Sequence, residues 1–318
     1  MKFLRSKLTK PAIFFFFLTS LVIPPLLGDP DSLSAQILFD IRIPRILFSL
    51  MTGACLALIG AVFQGLLRND LATPYTLGVS SGGALGAVIA IKLGLVLQIA
   101  GFSLITLFSI SGSLLSILII YIIAGRRGGF SGYGLILGGV AVSLSFSAIT
   151  MFIHYLADFT QTYRMVHWMM GSLAIRGWIY PVVLSVITLA VFIYFQYHVK
   201  AFNILLAGKE FAVSKGVAVD KLRSASFILG SLVIGYIVSI AGPIGFVGLV
   251  IPHIIRLLLG PDHKSLFPYC ILMGGAFLVW CDTLARLIIY PAELPVGILT
   301  SLIGGPFFIF LLIKGKKL

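Results

Sequence analysis

The sequence predicts an all-α membrane protein in which about ten helices form a bundle across the bilayer. Three observations support this fold class. Apolar residue types make up 59% of the chain, only 10% of residues are charged, and the mean hydropathy is +1.11. Soluble domains carry roughly a quarter charged residues, so this chain has too little polar surface to cover a water-soluble particle. Apolar runs also recur at close to the roughly 20 residues that a spanning helix needs.

Ten such runs follow one another along the chain. They cover residues 11–27, 43–67, 76–96, 101–124, 134–156, 178–198, 222–242, 244–260, 267–289 and 295–313. We interpret the first as an uncleaved span, because Gly28-Asp29-Pro30 is a poor signal-peptide cleavage site. Proline and glycine at 242–245 divide one long apolar stretch into two helices. The stretch at 162–173 is too polar to span and predicts an interfacial helix.

The positions of the lysines and arginines predict that both termini lie in the cytoplasm. With ten spans and an inside N-terminus, most of the 23 Lys and Arg residues fall on the cytoplasmic side, as the positive-inside rule requires. The net charge of +13 therefore reflects loop charges, and no basic stripe with interleaved aromatic residues indicates nucleic-acid binding. We expect a single transmembrane domain over residues 1–318, located in the cytoplasmic (inner) membrane as a multi-pass protein.

Two common signatures of covalent chemistry are missing from the sequence. It contains no phosphate-binding Gly-x-x-x-x-Gly-Lys-[Ser/Thr] loop and no His-Glu-x-x-His. Cys55, Cys270 and Cys281 lie singly in apolar runs, and the five histidines are scattered, so no metal-ligand spacing occurs. We therefore expect no catalytic residue, metal or cofactor on this chain. A membrane enzyme that uses its histidines stays open only as a remote alternative.

Arginines on the predicted outer side run against the charge rule. Arg42 and Arg45 open the second span, and Arg286 ends the ninth. One interpretation is that they dock an acidic partner. The other is local pairing, since Asp282 lies one helical turn before Arg286 and Asp40 is close to Arg42. The residues alone do not decide between these interpretations.

Asp282 is also the carboxylate placed well inside an apolar run. An intramembrane acidic residue is a functional candidate, and here it raises the alternative of an ion-coupled secondary transporter. A different candidate is the longest cytoplasmic loop, about 199–223. Its segment 208–216 predicts a short helix between two glycines, which suits docking of a soluble partner.

Long segments of the chain resemble a known family. They are RIPR at 42–45, GAVFQGLLRN at 60–69, LATPYTLGVSSG at 71–82, WMMGS at 168–172, AGPIGFVGLVIPHIIR at 241–256, GPDH at 260–263, DTLAR at 282–286, ELPVG at 293–297 and GGPF at 304–307. In this order they resemble the FecCD permeases, the membrane subunits of iron-chelate and cobalamin ABC importers (type II importers). The likeness runs from about residue 40 to the end and favours this class over the related metal-ion permeases.

The resemblance implies a homodimer of ten-helix subunits with the pathway between them. Two ATPase subunits, which carry ATP and Mg, would bind below and one substrate-binding protein above. The substrate would be an iron chelate (siderophore or haem) or cobalamin. Arg42, Arg45 and Arg286 would meet acidic residues of the binding protein, which favours docking over local pairing.

The resemblance also assigns the inner side of the chain. The ATPase-coupling loop would include Leu206, Gly208, Lys209, Glu210, Ala212 and Gly216. The cytoplasmic gate would lie at Gly132 and Tyr133. Two departures from the family pattern are visible. The family usually has Glu directly after the first loop glycine, whereas Lys209 precedes Glu210 here, and small hydroxyl residues are frequent at the gate, where this chain reads Ser131-Gly132-Tyr133.

Overall fold

A computed structural model describes residues 2–27, 34–75, 77–95, 97–99, 102–125 and 132–314. Its helices are α1 Lys2–Val22, α2 Ala35–Ile37, α3 Ile43–Leu67, α4 Val79–Lys92, α5 Leu104–Gly125, α6 Gly132–Tyr155, α7 Phe159–Met169, α8 Ile179–Tyr197, α9 Val199–Leu206, α10 Lys209–Ser214, α11 Val219–Ala241, α12 Val247–Leu259, α13 His263–Leu287 and α14 Val296–Lys314. The described residues otherwise contain one antiparallel pair of two-residue strands, β1 Gln98–Ile99 and β2 Phe102–Ser103. The all-α prediction is confirmed.

Each predicted apolar run corresponds to a helix. Within the described residues, seven helical stretches are long and apolar enough to span a bilayer: Thr9–Leu26, Ala35–Leu67, Leu104–Gly125, Gly132–Tyr155, Ile179–Tyr197, Val219–Ala241 and His263–Leu287. Three apolar helices are shorter: Val79–Lys92, Val247–Leu259 and Val296–Phe310. The count of ten spans therefore stays a prediction. Several residues used in the orientation, cleavage and gate arguments lie outside the described part of the chain: Gly28, Asp29, Pro30, Arg126, Arg127, Ser131, Lys316 and Lys317.

Two helices differ in extent from the predicted runs. The stretch predicted to begin at residue 43 begins at Ala35, because α2 continues through a π-helical turn, Leu38–Arg42, into α3. Helix α4 covers only 14 residues, since Gly78 (φ +80°) precedes it and Gly94 (φ +66°) follows its last turn. Left-handed φ values suit glycine and stop a right-handed helix. The polar stretch predicted at 162–173 forms α7, and its interfacial position stays a prediction.

The chain folds as two compact units. The first contains residues 1–61, 173–203 and 245–318, and the second contains residues 62–172 and 204–244. In the first unit, α3 lies in backbone contact with two other helices. Gly53 packs against the carbonyl of Gly274 in α13, and Gly60 packs against Gly248 in α12. Small residues allow such close approach where lipid supplies no hydrophobic drive between helices. The expected single domain stays a prediction.

In the second unit, α4 and α5 pack backbone to backbone. Gly82 and Gly112 each lie against the carbonyl of the other, and Gly86 lies against the carbonyl of Phe108. Ser116 donates a 2.6 Å hydrogen bond to the carbonyl of Gly78, where α4 begins. This polar contact holds the two helices in register, because the Ser116 hydroxyl is fully buried and needs an acceptor.

Lys92 connects the end of α4 to α7 in the same unit. Its Nζ donates to the carbonyl of Leu156 (2.6 Å) and to Oε1 of Gln161 (3.1 Å), whose Nε2 donates back to the Lys92 carbonyl. Gln161 and Asp158 also form a capping box at the start of α7. Lys92 thus holds α7 against the end of α4.

The close α4–α5 contact predicts that Gly112→Ala destabilises the protein. A Cβ at this position would meet the backbone of Gly82, and overpacking of this kind costs about 1–3 kcal/mol. Gly125→Ala is the matched control, since Gly125 ends the same helix and a Cβ there has no other atom within 4 Å. We expect the melting temperature of the detergent-purified chain to fall by several degrees for G112A only. Equal melting temperatures would contradict the backbone contact.

Candidate functional site

Arg45 binds two carboxylates at the start of α3. Its Nε and Nη2 donate to Oδ2 and Oδ1 of Asp282, both at 2.9 Å, and its Nη1 donates to Glu293 at 2.9 and 3.1 Å. Arg45 is 8% exposed and Asp282 only 2%. A buried charge is stable only when it is paired and hydrogen-bonded, so these groups depend on one another. They join α3, α13 and the segment before α14.

Arg286 and Arg42 lie beside this ion-pair network, and we call the five residues Arg42, Arg45, Asp282, Arg286 and Glu293 the arginine cluster. Nε of Arg286 lies 3.6 Å from Oδ2 of Asp282, and its Nη2 donates to Thr283 at 3.4 Å. The predicted pairing of Asp282 with Arg286 is thus present, but it is longer than the bidentate pairing with Arg45. Arg42 donates to the Pro25 carbonyl at 3.0 Å.

A cavity of about 260 Å³ opens at the arginine cluster. Its lining includes four members of the cluster, Arg42, Arg45, Arg286 and Glu293, together with Tyr290 and Pro291. Three guanidinium groups and two carboxylates leave a net positive charge of one, provided that all are ionised. The cavity therefore suits an anionic group that accepts hydrogen bonds from arginine.

The predicted structured loop consists of two short helices joined by glycine. Helix α9 ends at Leu206, and Gly208 adopts a φ of +129° immediately before α10. Gly216, with a φ of +79°, follows α10. Non-glycine residues rarely adopt such values, so the two glycines set the path of the chain at both ends of α10. The short helix predicted between the two glycines is present as α10.

In the segment 206–216 one side chain is buried in the core and several others are exposed on the surface. Ala212 is fully buried, and its carbonyl accepts the N–H of Val217 at 3.0 Å. Lys209 lies 3.5 Å from Asp220, and both side chains are 50% exposed. An exposed pair of this kind stabilises a protein by at most about 1 kcal/mol, so Lys209 can exchange it for another partner. Glu210 and Leu206 are exposed as well.

The two predicted gate residues begin α6. Gly132 lies close to Leu67, since a Cβ at this position would be 3.2 Å from a Leu67 methyl group. Tyr133 is 72% exposed, so its ring has little contact within the chain. The geometry brings Gly132 to the end of α3 and leaves the Tyr133 ring available. It does not test their role as a gate.

Asn203 is a site residue that the sequence arguments missed. It lies on α9, five residues before Gly208, and its amide contacts the GPDH segment through Asp262 and His263. The segment is recognisable in sequence, but a single Asn in a mixed-polarity helix carries no signal of a partner 59 residues away. Only the fold reveals this contact.

Potential metal ligands are dispersed in the described part of the chain. No group of three or more His, Cys, Asp or Glu residues lies close enough there to hold an ion. The three cysteines are buried and free, and Cys55 contacts Thr188 at 3.0 Å. Histidine also serves packing, since His263 is 1% exposed and stacks near Phe202 and Phe267.

Comparison with known proteins gives matches over nearly the whole chain. The cobalamin import system permease protein of Halobacterium salinarum is 41% identical over 293 residues, which is 90% of this chain and 75% of that protein. The hemin transport system permease protein of Yersinia pestis is 38% identical over 284 residues, 89% of this chain and 84% of that protein. An inward-facing ABC transporter assigned to the metal-chelate type matches with a TM-score of 0.86 and 32% identity, covering 95% of this chain and 98% of that one. A model of the FecCD transport family matches residues 12–314, and the chain therefore belongs to the FecCD transport family.

Proposed function

We propose that the chain is the translocating subunit of an ATP-driven importer for an iron chelate, such as a siderophore complex or haem, or for cobalamin. The family match over residues 12–314 carries this proposal, and relatives that import cobalamin and hemin set the substrate class. In this proposal two copies of the chain enclose the pathway. Two ATPase subunits bind ATP and Mg on the cytoplasmic side, and a binding protein delivers the substrate from outside.

The arginine cluster is proposed as the docking site for the binding protein. Its cavity and its net positive charge support the entry of a carboxylate from an acidic partner. Within the cluster we assign different roles. Arg42 and Arg286 would meet the partner, whereas Arg45 already directs every donor nitrogen of its guanidinium at Asp282 or Glu293. Charge pairs at such surfaces mainly speed and orient the encounter.

The loop at 206–216 is proposed to transmit the ATPase movement. Exposure of Leu206, Lys209 and Glu210 supports contact with a soluble partner, and the burial of Ala212 supports a fixed loop shape. The order of Lys209 and Glu210 would match an ATPase groove of corresponding charge. Gly132 and Tyr133 are proposed to line the cytoplasmic gate, where the open Tyr133 ring can narrow the pathway.

An ion-coupled carrier based on Asp282 is less well supported. A coupling carboxylate must gain and lose charge during transport, and both oxygens of Asp282 accept hydrogen bonds from Arg45. Neutralising Asp282 would leave Arg45 buried with one carboxylate partner instead of two, and removing one partner of a buried pair is strongly unfavourable. This geometry favours a structural role for Asp282.

Affinity purification of the tagged chain from its native membrane tests the proposal. Mass spectrometry should identify an ATPase with a phosphate-binding loop in an amount equal to this chain. A binding protein recovered with it can then be loaded with ferric siderophore, haem or cobalamin to identify the substrate. Uptake by a preparation that lacks any ATPase would contradict the proposal.

Reversing charge at the docking arginines should weaken binding of the binding protein. For R42E/R286E we expect the dissociation constant to rise about tenfold or more, because two attractive contacts become repulsive. Surface plasmon resonance at two salt concentrations measures this. Lys200→Glu is the control, since Lys200 is exposed on α9 at the predicted inner side. Arg45 is left intact because its loss would remove four hydrogen bonds to Asp282 and Glu293. Since Arg286 lies 3.6 Å from Asp282, the affinities are compared only after R42E/R286E has shown the melting temperature of the wild type. Unchanged affinity in the folded variant would refute docking at the cluster.

Gly208→Ala should reduce ATPase recovery with the purified chain. A φ of +129° strains an L-residue by about 1–3 kcal/mol, so α10 would change its direction. Gly177→Ala is the matched control, because Gly177 also has a positive φ of +77° and open space around it, but lies on the predicted outer side. We expect the ATPase-to-permease ratio on a gel to fall for G208A only. Equal ratios in both variants would argue against loop coupling.

A further inference from the structure

The amide of Asn203 makes three hydrogen bonds to the start of α13. Its Nδ2 donates to Oδ1 of Asp262 at 2.6 Å. Its Oδ1 accepts the backbone N–H of His263 at 3.0 Å and lies 2.8 Å from Nδ1 of the same histidine, which therefore carries the proton. Asn203 thus bridges the N-cap residue and the first residue of α13.

Asp262 is held in place from both sides. As N-cap of α13 its carboxylate accepts the N–H of Lys264 at 3.0 Å, and this hydrogen bond keeps the pKa of Asp262 below its usual range. The Asn203 amide contributes in the same direction. The carboxylate therefore stays ionised and accepts both bonds, which are stronger than bonds between neutral groups.

Aromatic packing encloses this polar contact. Phe202, the neighbour of Asn203 on α9, is fully buried and lies 5.5 Å from the His263 ring and 5.6 Å from Phe267, measured between ring centroids. Phe195 at the end of α8 joins the same stack. Apolar packing brings α9 and α13 together, while the Asn203 bonds set their relative rotation and register.

We propose that Asn203 is a positioning residue that fixes α9, and with it the approach to the 208–216 loop, onto the first turn of α13. This inference rests on the proposed function of that loop. Helix α13 has 25 residues and carries Asp282 and Arg286 of the arginine cluster near its other end. One helix thus connects the residue that holds α9 with the residues proposed to dock the binding protein. Movement at one end is transmitted to the other only while the Asn203 contact is intact.

Asn203→Asp is the most direct test, because it keeps the size of the side chain but replaces the donor by a carboxylate. The new carboxylate would lie next to Asp262, and like charges at that distance repel. In the exchange N203D/D262N the new amide at position 262 has to rotate, because Oδ1 of Asp262 accepts the bonds from both Asn203 and Lys264 in the wild type. After rotation its Nδ2 faces the new carboxylate at position 203 while its Oδ1 caps Lys264. Wild-type hydrogen exchange at amides 204–217 shows that this bond has formed, and the exchange variant is compared on that condition. Asp262→Asn alone is the matched control, since Asn203 can still donate to the new amide oxygen.

The measurement uses the complex of the wild-type chain with its co-purified ATPase and binding protein in lipid vesicles. We expect the stimulation of ATP hydrolysis by the substrate-free binding protein to fall about fivefold or more in N203D. The ATPase-to-permease ratio and the binding-protein affinity should stay at wild-type values. The exchange should restore stimulation, and D262N should resemble wild type. Hydrogen exchange of amides 204–217 should rise in N203D and return in the exchange variant.

The possible outcomes separate this inference from the proposed function. Wild-type stimulation in N203D would overturn the positioning role alone. So would an assembled exchange variant that stays uncoupled, because a swap that restores the hydrogen bond must then restore the coupling. A wild-type chain that recovers no ATPase would overturn the proposed function, and the positioning role with it. Loss of ATPase stimulation in N203D, together with its recovery in N203D/D262N, would establish the positioning role of Asn203.

Discussion

The ion-pair network of Arg45 is the interaction on which the outer end of the first unit depends. A guanidinium that is 8% exposed needs opposite charge, and Asp282 and Glu293 supply it through four hydrogen bonds. Asp282 is equally dependent, since it is 2% exposed and close to Arg286. Because bidentate bonds tolerate little change in angle, the network fixes α3 against α13. Once this is fixed, the cavity and the positions of Arg42 and Arg286 follow.

Glycine residues fix the packing of the helices along their apolar parts by allowing backbone atoms to come into contact. Gly53 and Gly60 let α3 contact α13 and α12 through backbone atoms, and Gly82 with Gly112 does so for α4 and α5. Lipid and leucine side chains are equally apolar, so burial alone cannot choose one helix pairing over another. Shape decides instead, and a helix pair without Cβ atoms at its crossing point has one closest approach. Polar bonds at the helix ends therefore fix how two helices are rotated, and glycines along their length fix where and how closely the helices cross.

Sequence patterns predict the parts of this protein that depend on hydropathy and on local conformation. The apolar run 43–67 predicts the end of α3 at Leu67, and the loop helix between Gly208 and Gly216 follows from its glycines. Hydropathy does not predict the π-helical turn before α3, because Asp40 and Arg42 read as a polar loop. Hydropathy also does not predict that Arg45 binds two carboxylates, which lie more than 200 residues away. The contact of Asn203 cannot be predicted from the sequence for the same reason, since partners that are distant in the chain leave no local sequence pattern.

Helix α13 is suited to carry a displacement because polar side chains hold it at both ends. At about 1.5 Å per residue its 25 residues extend about 37 Å, close to the thickness of a bilayer with part of its headgroups. At one end Asn203 binds Asp262 and His263, and at the other Asp282 binds Arg45. Between these points Gly274 packs against the backbone of Gly53, so α13 is held against α3 along its length as well. Hydrogen bonds to charged groups are directional and costly to leave unmade. A helix held at both ends and in its middle is suited to move as one rigid body together with α3, and in our proposal a shift at the loop end reaches the arginine cluster in this way.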